Sequence, residues 1–395
     1  MSGICKEEKT KDNNWGDLPA DILGLIVPHL SFIDILNIKG LCSSWRRAAM
    51  TRVFRPSPIL IVIAELDQLH KQESIEETSE IDSFVPLKRP YILKTRTPEC
   101  LKRYINHRIL GSNSDGWIIM LDENDDMYLC KRLTKDKIDL PSKNTLPSNK
   151  SGPVIAGDYM SRKAIMTASP SSGNNFTVIL IYGLSRPKIS FWRHGESTWN
   201  GIEGENYFDI AFSKNTLFAL KKYNDDIHAI EIWDFSDIPG TMNKKMCLEL
   251  PLLDDYFYTS RLAELSSSDE ILIVAYRSMY MYTESTHVND WLIFKVDSSQ
   301  ERCIKMDSLN GESLLMGLVN TMCVSYADVE YPEFKPNSIY YVEDERHLRS
   351  PKSEIKLRVY SMEDKKTEEL WRADGVCSWR VLPAAMWIVA PHLKF

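Results

Sequence analysis

The sequence lacks the features that mark several large protein classes. Its longest apolar runs, such as Ile59–Ala64, fall far short of the roughly 18 residues that a membrane-spanning helix needs. It has no basic block, because 48 Lys and Arg residues stand against 55 Asp and Glu residues and give a net charge of −7. Such a balance argues against nucleic acid as the main partner. We therefore expect a soluble protein of roughly two to three domains that binds neither nucleic acid nor membrane.

Motifs for metals and cofactors are also missing. The eight cysteines, at positions 5, 42, 100, 130, 247, 303, 323 and 377, form no C-x-x-C pair, and P-loop, G-x-G-x-x-G, H-E-x-x-H and G-x-S-x-G patterns do not occur. Residues 1–14 are polar and lack the apolar region of a secretory signal, so we expect a disordered N-terminus. Reduced core thiols and a cytoplasmic or nuclear location, with no cofactor and no metal, are the expectation.

Residues 15–55 carry the helical signals of the chain. Ile22, Leu25 and Ile26, with Leu30 beyond, follow the spacing of one helical face. Two further short helices are predicted, one starting at Ser31–Asp34 and one near Ser43 with Trp45 on its apolar side. Three short helices bury little surface alone. Their apolar faces must dock, either on another protein or as a helical cap on the rest of this chain.

This segment resembles an F-box along its whole length. The resemblance is carried by Leu18-Pro19-x-Asp21-Ile22-Leu23, then Ile26, Leu30 and Asp34-Ile35-Leu36, and finally Leu41-Cys42-x-x-Trp45-Arg46. Pro28 departs from the pattern, because many F-boxes continue there as helix. The resemblance implies binding to the Skp-type adaptor of a cullin-based ubiquitin ligase. The adaptor-binding residues that it implies are Leu18, Pro19, Ile22, Ile26, Leu30, Leu36, Cys42 and Trp45.

Residues 56–395 have the texture of a β-rich domain. An acidic stretch at about 65–82 is predicted to be a solvated loop. One four-strand unit starts at Arg108, and comparable units begin near Lys163, Tyr207, Arg261 and Leu314, at intervals of 44 to 55 residues. Four strands at such a period are typical of β-propeller blades. With the leftover segments Ile59–Leu93 and Cys377–Leu393 the prediction is a mostly β fold: a small three-helix F-box followed by a propeller of six or seven four-stranded blades. A β-sandwich pair is the structural alternative.

The β-rich region resembles the kelch-like β-propeller of a plant family of F-box proteins, the KIB type. The residues that carry this resemblance are Gly111-Ser112-x-x-x-Gly116-Trp117, Ala168-Ser-Pro170, Phe191-Trp192-x-x-Gly195 with Trp199, Phe294-Lys295-Val296-Asp297 and Ser338-Ile-Tyr340-Tyr341. Together the two resemblances cover residues 15 to about 372. They imply the substrate-recognition subunit of an SCF-type ubiquitin ligase, with the propeller binding an unidentified target protein and no catalytic site of its own.

One segment suggests a different function. Arg193-His194-Gly195-Glu196 resembles the signature of histidine phosphatases, in which an imidazole takes up a phosphoryl group. The segment lies in mid-chain among strands, and no second histidine follows in a His-Gly context, so a blade strand with its turn is the preferred interpretation. Two alternatives to the ligase subunit stay open: a phosphoryl-transfer enzyme using His194, and a propeller scaffold that no longer binds an adaptor.

Overall fold

The computed structural model describes most of the β-rich region and two helical segments. The described ranges are 18–26, 42–50, 59–63, 81–84, 108–147, 161–222, 228–235, 243–250, 258–277, 290–325, 334–345, 354–373 and 384–388. Within them, short gaps of one to four residues lie at 114, 123, 132–135, 184–185, 266–267 and 318–319. The chain forms two compact units, residues 1–57 with 391–395, and residues 58–390.

The first unit contains two short helices, α1 (Ala20–Ile26) and α2 (Ser43–Met50). They agree with the first and third predicted helices. The middle helix predicted from Ser31 and the disordered segment predicted for residues 1–14 lie outside the described residues. In the described ranges, neither helix approaches the length and apolar character that a bilayer crossing requires.

The second unit is built from β-strands arranged as consecutive sheets. Four of them are antiparallel sheets of four strands in chain order, which we call blades 1 to 4. Blade 1 consists of β3 (Arg108–Ser112), β4 (Trp117–Leu121), β5 (Met127–Lys131) and β6 (Lys137–Asp139), and blade 2 of β7 (Ser161–Met166), β8 (Thr177–Tyr182), β9 (Lys188–Arg193) and β10 (Asn200–Gly201). Blade 3 consists of β11 (Tyr207–Ser213), β12 (Thr216–Lys222), β13 (His228–Asp234) and β14 (Asn243–Glu249). Blade 4 consists of β15 (Tyr258–Glu264), β16 (Ile271–Arg277), β17 (Asp290–Asp297) and β18 (Arg302–Met306).

Blade 5 departs from this simple order. Its five strands are arranged as β20-β19-β21-β22-β23, and β19 runs parallel to β21. The extra strand arises because a tight hairpin, β19 with β20, precedes the three strands that complete the blade. The strand bounds are β19 (Glu312–Met316), β20 (Thr321–Ser325), β21 (Ser338–Glu345), β22 (Glu354–Ser361) and β23 (Lys366–Ala373).

A smaller closing sheet joins distant parts of the chain. It has three strands, β1 (Ile59–Ile63), β2 (Ile81–Phe84) and β24 (Ala384–Ile388), in the order β2-β1-β24. Strand β1 pairs antiparallel with β24, with Ile59 opposite Ile388 and Ile63 opposite Ala384. Strand β24 also contacts β3 of blade 1 and β19 of blade 5. The closing sheet therefore connects the first blade with the last.

The predicted number of blades is wrong. The structure is mostly β with a propeller of five blades, four of them four-stranded, instead of six or seven four-stranded blades. The difference arises where the prediction assigned blades to the leftover segments, Ile59–Leu93 and Cys377–Leu393. In the described residues, these segments contribute the three strands of the closing sheet and no four-stranded blade. The acidic loop predicted at 65–82 lies mostly outside the described residues.

The core lies between the faces of neighbouring blades. Strand β8 is buried at every position because both of its faces are covered. Its alternate residues Val178, Leu180 and Tyr182 belong to one buried cluster, which also contains Trp117 of blade 1. On the opposite face, Ile179 and Ile181 belong to another cluster, shared with blade 3. Stacking of blades thus buries both faces of each sheet, which the period of the sequence predicted.

The edge strands of the blades contact one another in sequence. Strand β3 contacts β7, β7 contacts β11, β11 contacts β15, and β15 contacts β20. At the first of these junctions a Cβ atom on Gly111 would lie 1.9 Å from the carbonyl oxygen of Ala164. Glycine is required there because the two backbones approach too closely for any side chain. This gives a physical reason for the glycine in the Gly111-Ser112 motif.

The described cysteines are free thiols, and three of the five belong to the core or pack against it. Cys130 is buried, and the half-buried Cys303 and Cys323 pack against buried apolar clusters. Cys42 is half-buried, and the prediction of core thiols is wrong for Cys247, which is exposed. Burial raises the pKa of the Cys303 thiol to about 11, so this thiol stays protonated at neutral pH.

Candidate functional site

The candidate site is the outer surface of α1. The carbonyl oxygen of Pro19 accepts hydrogen bonds from the backbone N–H groups of Ile22 and Leu23, both at 3.1 Å, and so starts the helix. Proline fits at this boundary because its missing N–H would have had no partner within the helix. Asp21 lies in the first turn, where a negative charge favours the helix dipole. The short helix is therefore specified by local sequence.

Helix α2 contacts α1 and, among the described residues of this unit, supplies the second buried side chain. Its start is fixed by the backbone N–H of Arg46, which donates to the carbonyl oxygen of Cys42 at 3.0 Å. Trp45 is 7% exposed and Leu23 of α1 is 1% exposed, whereas Arg46 and Arg47 are exposed. Leu23 and Trp45 are therefore the side chains that face the inside of the helix pair.

Two large apolar side chains of α1 are exposed. Ile22 is 43% exposed and Leu25 is 67% exposed, and they are the exposed large hydrophobic side chains of the described part of the chain. Leu25 follows Leu23 by two positions, about 200° around the helix, so it points away from the buried side. Contiguous exposed apolar patches are a common feature of surfaces that contact other proteins. We call this surface, formed by Ile22 and Leu25, the α1 face.

The structure sorts the predicted adaptor-binding residues into different environments. Pro19 and Ile22 are exposed, whereas Leu18, Ile26 and Cys42 are half-buried. Trp45 is buried, so it shapes the helix pair and has little surface to offer a partner. Leu30 and Leu36 lie outside the described residues.

Two residues of this unit are absent from the predicted set. Leu25 was part of the predicted helical face, but it does not belong to the F-box pattern and was left out of the site. Leu23 was quoted within the pattern, but it was not recognised as the buried residue of α1. The two-residue spacing of Leu23 and Leu25 places them on opposite sides of one helix, so the sequence does indicate that one of them is buried when the other is exposed.

The Arg193-His194-Gly195 segment forms the turn at the end of β9. The Arg193 guanidinium lies 4.9 Å from the centre of the Phe191 ring, and its Nη1 lies 3.8 Å from the Glu196 carboxylate. The same carboxylate accepts a 2.6 Å hydrogen bond from the Asn200 side chain, and Gly195 has a φ of +94°. Arg193 is thus used within the turn instead of lining a phosphate pocket.

His194 packs as an aromatic side chain. Its ring centre lies 4.9 Å from that of Phe176 and 5.8 Å from that of Trp192, and its backbone N–H donates to the carbonyl oxygen of Phe176 at 3.1 Å. Three of the histidines that follow in the sequence, His287, His347 and His392, lie outside the described residues. The observed environment favours the interpretation as a blade turn over a phosphoryl-transfer site.

Residues of the propeller motifs hold neighbouring blades together. Ser171, which follows the Ala168-Ser-Pro170 segment of blade 2, accepts hydrogen bonds from Trp117 Nε1 and Lys131 Nζ of blade 1, both at 2.9 Å. Trp199 Nε1 donates to the carbonyl oxygen of Pro141 at 3.0 Å, again between blade 2 and the end of blade 1. These motif residues therefore specify the junction between two blades.

The other two propeller motifs stabilise turns. The carboxylate of Asp297 accepts hydrogen bonds from the backbone N–H groups of Ser299 and Gln300, which closes the turn between β17 and β18. The hydroxyl oxygen of Tyr340 accepts a 2.9 Å hydrogen bond from the backbone N–H of Lys335. The motifs are explained by the fold, and a target-binding role is not needed to account for them.

Comparison with known families agrees with both halves of this architecture. The F-box domain family matches residues 15–56, and the KIB1-4 beta-propeller family matches residues 84–363. These two matches define an F-box protein with a β-propeller. Since the second match spans more than half of the sequence, the chain belongs to the KIB1-4 beta-propeller family.

Individual relatives are distant but similar over most of their length. A protein of Arabidopsis thaliana described as a probable F-box protein is 25% identical, over 85% of this chain and 86% of the relative. The F-box/kelch-repeat protein KIB1 of the same plant is 22% identical, over 89% of this chain and 88% of the relative. Kluyveromyces lactis Hsv2 is a solved structure with 9% identity and a TM-score of 0.32, covering 75% of this chain and 93% of Hsv2. A structural likeness at this level carries no argument about function.

Proposed function

We propose that this chain is the substrate-recognition subunit of an SCF-type ubiquitin ligase. The α1 face binds a Skp-type adaptor and through it a cullin, and the propeller binds a target protein. The observation that carries the proposal is the exposure of Ile22 and Leu25 on a helix inside the region that matches the F-box family. The family match supports a Skp-type adaptor as the partner, and the exposure of these two side chains supports this surface as its contact.

The chain contributes proximity to this reaction. A target tethered beside a ubiquitin-charged enzyme reaches an effective concentration in the mM range when the connection is short. The function requires two binding surfaces and no bond-making group in this subunit. The cytoplasm and the nucleus are the compartments that we propose for it.

Co-expression with a plant Skp-type adaptor tests the proposal. The wild-type chain is expected to co-purify with the adaptor, whereas Ile22→Asp and Leu25→Asp are expected to lose it, because a carboxylate would be desolvated in the contact. Ala168→Asp, which introduces the same charge at an exposed alanine of the propeller, is the matched control and is expected to retain the adaptor.

Failure of the wild-type chain to co-purify would overturn the ligase assignment and leave the propeller scaffold as the better description. Retention of the adaptor by both folded α1 variants would show that another surface binds it. A phosphatase assay with His194→Ala as the comparison tests the remaining alternative, and we expect no activity that depends on His194.

A further inference from the structure

The loop that follows β7 of blade 2 is exposed and rich in serine. Residues 171–175 are exposed, and nothing lies within 4 Å of a Cβ atom placed on Gly173. An enzyme can therefore approach this segment from solvent. We call residues 168–175 the serine loop, which contains Ser169, Ser171 and Ser172.

A short turn fixes the backbone of the serine loop. The hydroxyl oxygen of Ser169 accepts a 3.2 Å hydrogen bond from the backbone N–H of Ser171, and its carbonyl oxygen accepts one of 2.9 Å from the backbone N–H of Ser172. Pro170, at the start of the turn, restricts the backbone further. Ser171 is therefore held in a defined position although it lies at the surface.

Two donors of blade 1 converge on the Ser171 hydroxyl. Its oxygen accepts hydrogen bonds from Trp117 Nε1 and Lys131 Nζ, both at 2.9 Å, and Lys131 Nζ lies 5.9 Å from the centre of the Trp117 ring. A neutral oxygen thus uses both of its lone pairs on N–H donors, one of which is charged. An anionic oxygen at this position would form stronger hydrogen bonds with the same two donors.

Lys131 has no carboxylate partner in the part of the chain that the structure describes. It is half-buried at the end of β5, where its ammonium contacts the Ser171 hydroxyl and the Trp117 ring. Lys137 and Lys143, in contrast, each form an ion pair with an aspartate at 2.7 Å. A negative group on Ser171 would supply the counter-charge that Lys131 lacks.

We propose that Ser171 is a phosphorylation site whose phosphate is bound by Lys131 and Trp117. A protein serine kinase transfers the γ-phosphoryl group of ATP to Ser171 Oγ: the bond from the γ-phosphorus to its bridging oxygen breaks, ADP leaves, and the hydroxyl proton passes to the base of the kinase. The phosphate carries a charge of about −1.5 to −2 near neutral pH and offers three acceptor oxygens. Because the two donors belong to blade 1 and Ser171 to blade 2, the modification strengthens the junction of these blades.

Incubation of the purified full-length chain with plant cell extract and ATP, followed by peptide mass spectrometry, tests for the modification. Phosphate is expected on Ser171 of the wild type. Ser171→Ala is expected to lose it, whereas Ser172→Ala, the matched control at the next exposed serine, is expected to keep it. Phosphate on Ser169 or Ser172 alone, or no phosphate in the serine loop, would overturn the proposal.

A chain with genetically incorporated phosphoserine at position 171 tests the role of Lys131. Its midpoint of thermal unfolding is expected to lie about 2–4 °C above that of the unmodified chain, because a charge-assisted hydrogen bond is stronger than one to a neutral hydroxyl. Lys131→Gln is expected to abolish this increase, whereas Lys131→Arg keeps a charged donor and is expected to retain it. A chain with phosphoserine at position 172 is the control and is expected to melt like the unmodified chain.

Two results of the melting experiment would overturn the proposal: a chain modified at position 171 that melts no higher than the unmodified chain, or an increase that persists in Lys131→Gln. The comparison with Lys131→Arg stays decisive if Lys131→Gln fails to fold, because an arginine variant without the increase would also contradict it. The serine loop lies in residues 58–390 and α1 in the other unit, so this test and that of adaptor binding fail independently.

Discussion

The carboxylate of Asp209 on β11 accepts a 2.7 Å hydrogen bond from the backbone N–H of Leu262 on β15, across the junction of two blades. The same carboxylate forms an ion pair with Lys163 on β7, so one side chain links three consecutive blades. Asp209 is fully buried, and Lys163 with the backbone N–H groups of Ile210 and Leu262 replaces the hydrogen bonds that its carboxylate would otherwise make with water. The junctions of the propeller thus depend on specific polar contacts as well as on apolar packing.

Asp209→Asn is expected to destabilise the propeller by about 3–5 kcal/mol, because it leaves the Lys163 ammonium buried without its counter-charge. Urea denaturation followed by tryptophan fluorescence measures the change. Asp139→Asn is the control, since Asp139 and its partner Lys137 are both exposed and such a pair contributes about 0–1 kcal/mol. Equal stability of the two variants would show that the buried pair does not hold the blades together.

Gly111→Ala is expected to destabilise the junction of blades 1 and 2, because the added Cβ would lie 1.9 Å from the Ala164 carbonyl oxygen and backbone would have to move. The midpoint of thermal unfolding is the measurement. Gly24→Ala provides the contrast, since nothing lies within 4 Å of a Cβ at that helical position and alanine favours a helix by about 1 kcal/mol over glycine. A Gly111→Ala variant with unchanged stability would contradict the observed close approach.

The buried Glu231 predicts an acid-sensitive contribution to stability. Its Oε atoms lie 2.6 Å from the Tyr207 hydroxyl, 3.3 Å from Lys221 Nζ and 3.2 Å from Lys244 Nζ. Burial opposes ionisation of this carboxyl group, but the three partners outweigh burial and hold its pKa below the ordinary value of 4.5. A carboxyl group with a lowered pKa stabilises the fold above its unfolded pKa, and this contribution is lost as the pH falls through the folded pKa.

Glu231→Gln is therefore expected to be less stable than the wild type near neutral pH, and the difference is expected to shrink as the pH falls below about 4.5. Denaturant unfolding across this range, down to the lowest pH at which both proteins fold, measures the difference. Glu249→Gln, at an exposed position of β14, is the control and should show no such trend. A difference that stays constant with pH would rule out the ionised network.

The sequence was most informative where local patterning decides the structure. The units predicted to start at Arg108 and near Tyr207 begin at those residues, as β3 and β11, because apolar alternation and turn residues delimit the strands. The start of α2 at Ser43 was also correct. Blade 5 was harder, because the parallel pairing of β19 with β21 depends on contacts between residues far apart in the chain. The blade count was wrong for the same reason.

The candidate site shows a similar limit. The F-box pattern indicated the correct segment, but it gave no information about which side of α1 packs inside the protein. Burial of Leu23 and exposure of Leu25 follow from contact with α2, whose position the sequence does not state. The buried ion pair of Lys163 and Asp209 could not be predicted from the sequence for the same reason, because 46 residues separate the two side chains.

The affinity of a Skp-type adaptor for Leu25→Ala tests the central claim most directly. Leu25 is 67% exposed, so its truncation is expected to leave the folding of the helices unchanged, as judged by circular dichroism. Truncation of a residue at the centre of an interface costs more than about 1 kcal/mol, and since about 1.4 kcal/mol is a factor of ten, a central position of Leu25 predicts an adaptor Kd raised about tenfold in calorimetry. A Kd equal to that of the wild type, in a folded Leu25→Ala protein, would contradict the assignment of the α1 face as the adaptor-binding surface.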